Sequence, residues 1–458
     1  MCIFFRIMPE STATTNDLLE KQDIGKLLRS YVVPAMINMV VMALYNIVDR
    51  IFIGQGAGAM AICGLALTLP CVSLMTTIGT LTGVGVSARV SSSFTLRNIP
   101  LACKALGNAL FLNIILTVSL ILLTLCHLDT ILLAFGGSEQ TIPYAHKYLS
   151  IIIPGSLLTN LNFTCCNAFR AAGFSHKSMM IILTGVIVNI LLDPILIFGF
   201  HLGIEGAAIA TVISMAISSV LILKHFQNPA NLLRLRLSDF RPHILLLFSL
   251  IGIGMAAFIM NITTSMVNII MNRYLVNHGG DYAIGAYGII SCYSVLIATL
   301  MMGICQGMQT IVSYNFGTGN FLRTRRTLEL SIQTGTLIVC TGFIIGELFA
   351  PWLVSIFTSN ETLIALSTGG LRLTFIMMPL IGYQIIATSF FQSINKAPQA
   401  IVMNISRQFI FLIPALGIFS RLWGLTGIWL AIPFADFMAT AITTLFLSRE
   451  KWLKTASH

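Results

Sequence analysis

The 458-residue chain is 56% hydrophobic, and only 9% of its residues are charged. Soluble globular domains carry about 25% charged residues, so this composition excludes an ordinary soluble enzyme or a soluble binding protein. The formal net charge is +10, because 26 Lys and Arg outnumber 16 Asp and Glu. Since these charges cluster between long apolar runs, the sequence predicts an all-α polytopic membrane protein.

Twelve apolar segments are long enough to cross a hydrocarbon layer of about 30 Å, which takes about 20 helical residues. None shows the period-2 alternation of a membrane β-barrel, and backbone polar groups in lipid must be satisfied within the segment. We therefore predict twelve transmembrane helices, at residues 31–53, 62–86, 105–126, 148–169, 179–200, 204–224, 243–271, 283–309, 327–348, 367–391, 400–420 and 425–447.

Lys and Arg residues are concentrated in every second connecting segment, for example at Arg89, Arg170 and Arg323. Cytoplasmic loops of membrane proteins are enriched in these residues, so both termini are predicted to be cytoplasmic. We therefore attribute the positive net charge to these cytoplasmic segments, where it sets the orientation of the protein in the membrane. Because the sequence contains no soluble domain with interleaved basic and aromatic residues, binding of nucleic acid is not expected.

The N-terminal residues are not expected to form a secretory signal peptide, because Arg6 interrupts a short apolar run. Translation could begin at Met1 or at Met8, where a more ordinary N-terminus starts. Residues Asp17–Leu28 are predicted to form a short amphipathic helix that lies on the membrane surface.

The second half of the chain repeats the first. A shift of 222 residues aligns Asn46 with Asn268 and Gly85 with Gly307. Each half contains six predicted spans, so both enter the membrane in the same direction and form two six-helix lobes related by pseudo-twofold symmetry. The predicted domains are a cytoplasmic N-terminal tail (1–25), an N-lobe (26–224), a cytoplasmic linker (225–242), a C-lobe (243–448) and a cytoplasmic C-terminal tail (449–458).

Two carboxyl groups lie inside apolar spans, Asp49 in the first and Asp193 in the fifth. An ionisable group at bilayer depth is costly and usually faces an ion or substrate path, so transport is the first functional hypothesis. Tyr45 and Asn46 precede Asp49 by four and three residues, and the three therefore share one helix face. Arg50 is adjacent to Asp49, but consecutive helical residues point about 100° apart, so direct neutralisation is not expected.

The fifth span repeats this spacing, because Asn189 stands four residues before Asp193, and Pro194 follows directly. Proline removes a backbone hydrogen bond and can bend a helix, so Pro194 and Pro34 in the first span are predicted hinges.

Oxygen-bearing side chains on three spans indicate a site for a coupling cation. Thr211 in the sixth span could add its hydroxyl to the two carboxyl groups and the amide. The candidate Na⁺ ligands are Asp49, Asp193, Asn189 and Thr211, although the same carboxyl groups could equally carry a proton. The alternative is a hydrogen-bond cluster that only fixes helix packing.

Two further charges, Arg407 and Asp436, lie inside the eleventh and twelfth spans. The favoured interpretation is a buried structural pair, and the alternative is a substrate contact in the C-lobe. The 10 cysteines lack metal-ligand spacing, and no catalytic triad or nucleotide-binding motif is present. Neither an enzyme nor an ATP-driven pump is predicted, and no cofactor is expected apart from a coupling ion.

Four segments resemble motifs of the MATE (multidrug and toxic compound extrusion) family of the MOP flippase superfamily, and within it the DinF-like branch. They are Tyr45–Gly54 (YNIVDRIFIG), Asn167–Gly173 (NAFRAAG), Asn189–Gly199 (NILLDPILIFG) and Gly203–Thr211 (GIEGAAIAT). The resemblance implies that N-lobe residues bind the coupling cation. The matching positions are Tyr45, Asp49, Asn189, Asp193 and Thr211, with either Asn162 or Asn167 from the fourth span.

The resemblance also implies a function. A secondary active multidrug efflux transporter would export cationic lipophilic compounds by antiport with H⁺ or Na⁺. It would be a monomer surrounded by lipid in the bacterial cytoplasmic (inner) membrane. Other branches of the family use acids in the seventh and tenth spans, and this chain has none there.

Two alternatives stay open. A lipid-linked oligosaccharide flippase of the same superfamily would favour a strongly cationic cavity, whereas the charge inside these spans is mainly acidic. A channel or a non-transporting membrane scaffold is the alternative from a different class.

Overall fold

The computed structural model of this chain describes residues 22–95, 98–227, 233–394 and 396–450. These residues form helices, and no β-strand occurs among them. The α-helices are Ile24–Ala57, Ala59–Thr95, Ile99–Cys126, Leu128–Ala134, Ile142–Ala171, Ser175–Pro194, Gly203–Gln227, Ile244–Gly317, Phe321–Leu348, Ala350–Ser355, Glu361–Phe375, Met378–Ser393, Ala397–Ile405 and Ile413–Ser448. Two π-helical segments, Ile195–Gly199 and Ser406–Leu412, and one 3₁₀ turn, Leu237–Phe240, complete the list.

Most of these helices are long and apolar enough to cross a membrane. Among the described residues, eight helical stretches are long enough and apolar enough to cross a membrane. The pair Glu361–Phe375 and Met378–Ser393, bent by 55°, makes a ninth when it is counted as one span. Two of the eight stretches each contain two successive spans, because Gly280 (φ 65°) and Gly424 (φ 58°) break the helical backbone inside them. Only glycine adopts such positive φ values readily.

With the 34-residue helix Ile24–Ala57, the described chain therefore contains twelve spans, numbered one to twelve below in chain order. The predicted all-α, twelve-helix fold class is confirmed.

The start of span one corrects one prediction. Ile24, Leu27 and Leu28 do not belong to a separate surface helix, because they form the first turns of the helix Ile24–Ala57 and their side chains are buried. Neither proline nor glycine separates Leu28 from Tyr31, so nothing ends the helix there. Residues 17–21 of the predicted surface helix lie outside the described residues.

The chain divides into two compact units. One unit comprises Met1–Asn46, Ile290–Leu353 and Thr368–His458, and the other comprises Ile47–Ile289 and Val354–Ser367. This division follows contacts in space and does not coincide with the halves of the sequence repeat. The lobe boundaries drawn from the repeat therefore stay a prediction.

A buried polar network joins spans two, three and four within the larger unit. Asn113 Nδ2 donates to the hydroxyl groups of Thr82, at 2.8 Å, and Thr164, at 3.0 Å. Asn160 Nδ2 donates to Thr117 Oγ1 at 3.1 Å. All five side chains are buried. Hydrogen bonds between helices hold spans together where apolar contacts give little preference over lipid, so this network fixes the frame around span four.

Part of the predicted linker is folded onto span three, and residues 236–243 are called the linker strap below. Asn108 Nδ2 donates to the backbone carbonyls of Asp239 and Arg241, both at 3.2 Å. The Oδ1 atom of Asn108 accepts from the backbone N–H of His243 at 2.8 Å. One buried side chain on span three thus holds the strap at residues 239, 241 and 243.

Candidate functional site

Asn189 and Asp193 form the centre of the candidate site in span five. Both side chains are fully buried. Asn189 Nδ2 donates to Asp193 Oδ1 at 3.2 Å, which is the contact that a spacing of four residues in a helix predicts.

Thr211 connects this pair to span six. Asn189 Nδ2 also donates to Thr211 Oγ1 at 3.3 Å. The two helices approach closely nearby, because Gly206 has no side chain: a Cβ there would lie 3.0 Å from the carbonyl oxygen of Leu196. The conformation of Asn189 is therefore set by one contact within its own helix and one with the neighbouring helix.

The helix changes type immediately after Asp193. Pro194 keeps a helical φ of −64°, and the π-helical segment Ile195–Gly199 follows. Proline has no N–H to donate to the preceding turn, and π-helical turns are rare and often found at functional sites. The structure thus places a local irregularity where the sequence predicts a hinge, while movement about Pro194 stays a prediction.

Asp49 in span one is close enough to Asp193 for the two charges to interact. Both residues lie in the unit that begins at Ile47. The guanidinium Nη1 of the adjacent Arg50 donates to the backbone carbonyl of Gly288 at 3.1 Å, and the Arg50 charge also acts on Asp49.

Three buried oxygen atoms at this site accept no hydrogen bond in the described part of the chain. They are Asp49 Oδ1, Asn189 Oδ1 and Asp193 Oδ2. Buried polar atoms are normally paired, and a carboxylate or amide oxygen can only accept. A proton on a carboxyl group, or a hard monovalent cation among the oxygens, would supply the missing partner.

The other residues predicted for the site either make their hydrogen bonds away from it or have side chains outside the described residues. Asn162 donates to the Met215 carbonyl at 2.9 Å and accepts from Ser219 Oγ at 2.8 Å, which links spans four and six. Asn167 is half-buried and donates to the Phe163 carbonyl at 2.8 Å.

Neither asparagine makes a described hydrogen bond to the oxygens of the candidate site. Tyr45, Asn46 and Pro34 belong to span one, but their side chains lie outside the described residues.

Arg407 and Asp436 do meet as a pair, but only the Asp436 side chain is buried, at 1% exposed, whereas the Arg407 side chain is 33% exposed. Arg407 Nε donates to Asp436 Oδ1 at 2.6 Å, between spans eleven and twelve.

Two features escaped the sequence analysis. The asparagines of the polar network, Asn113 and Asn160, could have been noticed as amides in the middle of apolar spans. The π-helical segments had no comparable signal apart from nearby prolines.

The MatE family model matches this sequence twice, at residues 34–195 and 256–416. The chain belongs to the MATE family. The two matches begin 222 residues apart, which is the shift that aligns the internal repeat. Members of this family are membrane transporters and not enzymes, so the chain is a multi-pass transporter.

Curated relatives match along nearly the whole chain. A protein of Staphylococcus saprophyticus named multidrug export protein MepA is 27% identical over 434 residues, covering 94% of this chain and 96% of the relative. The protein of the same name from Staphylococcus aureus is 28% identical over 438 residues, with the same coverage.

Solved structures of MATE transporters also match nearly the whole chain. The MATE multidrug transporter DinF-BH, in complex with R6G, is 34% identical with a TM-score of 0.77, covering 93% of this chain and 96% of that one. An inward-facing MATE transporter of the MOP superfamily has a TM-score of 0.87 at 22% identity, covering 94% and 99%, and so shares the fold.

Proposed function

We propose that this protein is a secondary active multidrug exporter that expels cationic lipophilic compounds in exchange for H⁺ or Na⁺. The observation that carries the proposal is the group of three buried, unpartnered oxygens on Asp49, Asn189 and Asp193. The names of the MepA relatives and of DinF-BH support multidrug export as the transported class.

The chemistry of the site suits reversible cation loading. Two neighbouring carboxylates in an apolar interior repel each other, so a proton or a metal cation that neutralises one of them lowers the free energy of the site. Asn189 points its amide N–H₂ at Asp193 and Thr211, which leaves its Oδ1 atom for a metal cation. Oxygen ligands of this kind suit Na⁺ as a hard cation, and a carboxyl group suits H⁺.

Exchange against a cation also meets the energetic requirement of export. Moving one positive charge out of a cell with an inside-negative potential costs about 2.3 kcal/mol per 100 mV. Entry of at least one H⁺ or Na⁺ per exported monocation offsets this electrical cost. The proposed location is the bacterial cytoplasmic membrane, with both termini in the cytoplasm and the protein acting as a monomer among lipids.

The coupling ion is tested in proteoliposomes that contain the full-length protein and a cationic dye. A Na⁺ gradient without a pH gradient, and a pH gradient without Na⁺, are imposed in turn. We expect concentrative dye transport with one of them. Dye movement that never exceeds equilibrium under either gradient would contradict antiport and favour a channel.

The oligosaccharide flippase alternative predicts a different result in the same vesicles. A flippase would move a lipid-linked oligosaccharide and leave the cationic dye in place. The acidic pair Asp49 and Asp193 favours the cationic substrate, because negative charges in a low-dielectric site attract cations and repel anionic head groups.

A further inference from the structure

Arg407 and Asp436 bridge the fifth and sixth spans of the second half of the chain. In the first half, Asn189 and Thr211 bridge the corresponding spans, five and six. Asp436 is 1% exposed, and its Oδ1 atom accepts from Arg407 Nε at 2.6 Å. Each half of the repeat therefore has a polar bridge that includes or adjoins a buried carboxyl group.

The fifth span of each half, which is span five in the first half and span eleven in the second, also contains a π-helical segment beside its bridge. The segment Ile195–Gly199 follows Asp193, and the segment Ser406–Leu412 contains Arg407. Well under 1% of residues in proteins are π-helical, and such turns often mark functional sites. The two segments occupy different positions along their spans, one after Asp193 and one around Arg407, but each lies beside a polar bridge, and only the first bridge is used in the proposed function.

The two carboxyl groups have matching hydrogen-bond environments. One oxygen of Asp193 accepts from Asn189, and its Oδ2 atom has no described partner. One oxygen of Asp436 accepts from Arg407, and its Oδ2 atom likewise has no described partner. The difference is the charge of the donor, because the Asn189 amide is neutral whereas a guanidinium always carries a proton in proteins.

We propose that Asp436 is a latent site for a monovalent cation, H⁺ or Na⁺, and that Arg407 occupies it as a tethered counter-cation. Arg407 would thereby supply in the second half the positive charge that an exchangeable cation supplies at Asp193 in the first. This inference rests on the proposed cation coupling at Asp193. Its consequence is that the second half contributes no ion to the transport cycle while Arg407 is present.

The surroundings of Asp436 contain one identified source of compensating charge. Arg407 is the charged group that acts on Asp436 in the described part of the chain. Thr440 Oγ1 donates to the backbone carbonyl of Asp436, at 2.8 Å, and makes no described hydrogen bond to its carboxylate. Removal of the guanidinium would leave a buried carboxylate without a cation, and such a charge is too costly to persist. The carboxylate must then bind a proton or a metal cation.

The test uses full-length protein in lipid nanodiscs and the variants Arg407→Met and Arg407→Lys. Infrared difference spectra between high and low pH count the carboxyl groups that take up a proton. Thermal melts in NaCl and in choline chloride detect a carboxylate that takes up Na⁺ instead. Arg407→Lys is the matched control, because it keeps a positive charge on a long side chain.

We expect Arg407→Met to gain one protonating carboxyl group, or a Na⁺-dependent melting temperature that wild type lacks. The gain should be absent in Arg407→Lys and in the double variant Arg407→Met/Asp436→Asn. An Arg407→Met protein with the wild-type carboxyl count and no new Na⁺ dependence would overturn the proposal, as would an equal gain in Arg407→Lys.

The proposal can also be tested if the single variant Arg407→Met folds poorly. If Arg407→Met is not recovered but Arg407→Met/Asp436→Asn is, the uncompensated carboxylate is the cause, which supports the proposal. If both are lost, the guanidinium has a purely structural role and the proposal fails. Since none of these measurements uses transport, failure of the proposed antiport at Asp49 and Asp193 would be seen separately.

Discussion

Asn189 determines how the candidate site can bind a cation. Its amide has two donor hydrogens and one acceptor oxygen, and the described contacts direct the donors towards Asp193 and Thr211. The oxygen is left buried and without a partner. A side chain that donated from both ends could not do this, so the amide is suited to present an acceptor beside two carboxyl groups.

Neutral, nearly isosteric replacement of either acid should abolish coupled transport. We expect Asp49→Asn and Asp193→Asn each to reduce gradient-driven dye efflux to the level of empty vesicles, because neither amide can take up a proton or hold a cation by charge. Asp129→Asn is the matched control, since the Asp129 side chain is 72% exposed. Efflux at the wild-type rate in either buried variant, with expression unchanged, would contradict the assignment.

Removal of the Asn189 amide should weaken cation binding. Asn189→Ala deletes two hydrogen bonds, each worth about 0.5–1.5 kcal/mol, so we expect the apparent affinity for the coupling cation to fall about 10- to 100-fold. Asn167→Ala, at a half-buried position of span four whose described hydrogen bonds stay within that span, should stay within about threefold of wild type. The ion dependence of dye efflux measures both. Equal losses in the two variants would show that Asn189 has no special part.

At the scale of elements, the junction between the α-helical and π-helical parts of span five lies directly beside the acid. Asp193 belongs to the last α-helical turn, and the π-helical segment begins two residues later. A change in the charge of Asp193 therefore acts on a helix whose hydrogen bonding is already irregular. This is where a small difference in free energy can alter the local backbone.

We expect the prolines of spans one and five to permit a bend that depends on cation loading. Spin labels on the two spans should report different distances in protonated or Na⁺-loaded protein and in unloaded protein. Pro194→Ala and Pro34→Ala should each reduce this difference, because alanine restores a backbone donor. A single distance distribution under all ion conditions in wild type would refute hinge motion at these prolines.

The linker strap is the second element whose role can be tested. Asn108→Ala removes three hydrogen bonds to residues 239–243, a loss of about 3 kcal/mol at about 1 kcal/mol each. We expect a lower melting temperature and faster amide hydrogen exchange confined to the strap. Lys104→Ala, one turn away and exposed, is the control. Unchanged exchange in residues 236–243 would show that Asn108 does not hold the strap.

At the scale of the whole molecule, the composition of the interior should select substrate charge. Asp49 and Asp193 both have buried carboxyl oxygens and outnumber the one adjacent base, Arg50, so the site should favour a hydrophobic monocation over a neutral molecule of the same shape. Comparing transport of a cationic dye with that of a neutral isostere measures this preference. We expect at least tenfold higher apparent affinity for the cation. Equal affinities would show that the acids do not select charge.

Sequence alone determined the class of the molecule, its twelve spans and the six-plus-six repeat. These depend on long apolar runs and on residue identities in register, which are local or periodic features. It also found Asn189 and Asp193 together, because contacts four residues apart in a helix follow from helix geometry. Sequence reasoning also offered Thr211 of the sixth span as a further oxygen, and the family resemblance pointed to the same residue, but helix geometry could not show that it contacts Asn189.

Only the tertiary structure decided which groups meet across helices and which oxygens stay unpaired. The pairing of Arg407 with Asp436 depends on the packing of spans eleven and twelve. Asn162 is absent from the described contacts of the site because span four packs against span six, where its side chain is bound to Met215 and Ser219. Such contacts join residues far apart in sequence, so helical periodicity does not specify them. The π-helical segments are a further case, because a shift from one backbone hydrogen-bond pattern to another reflects packing around a proline more than the residue types themselves.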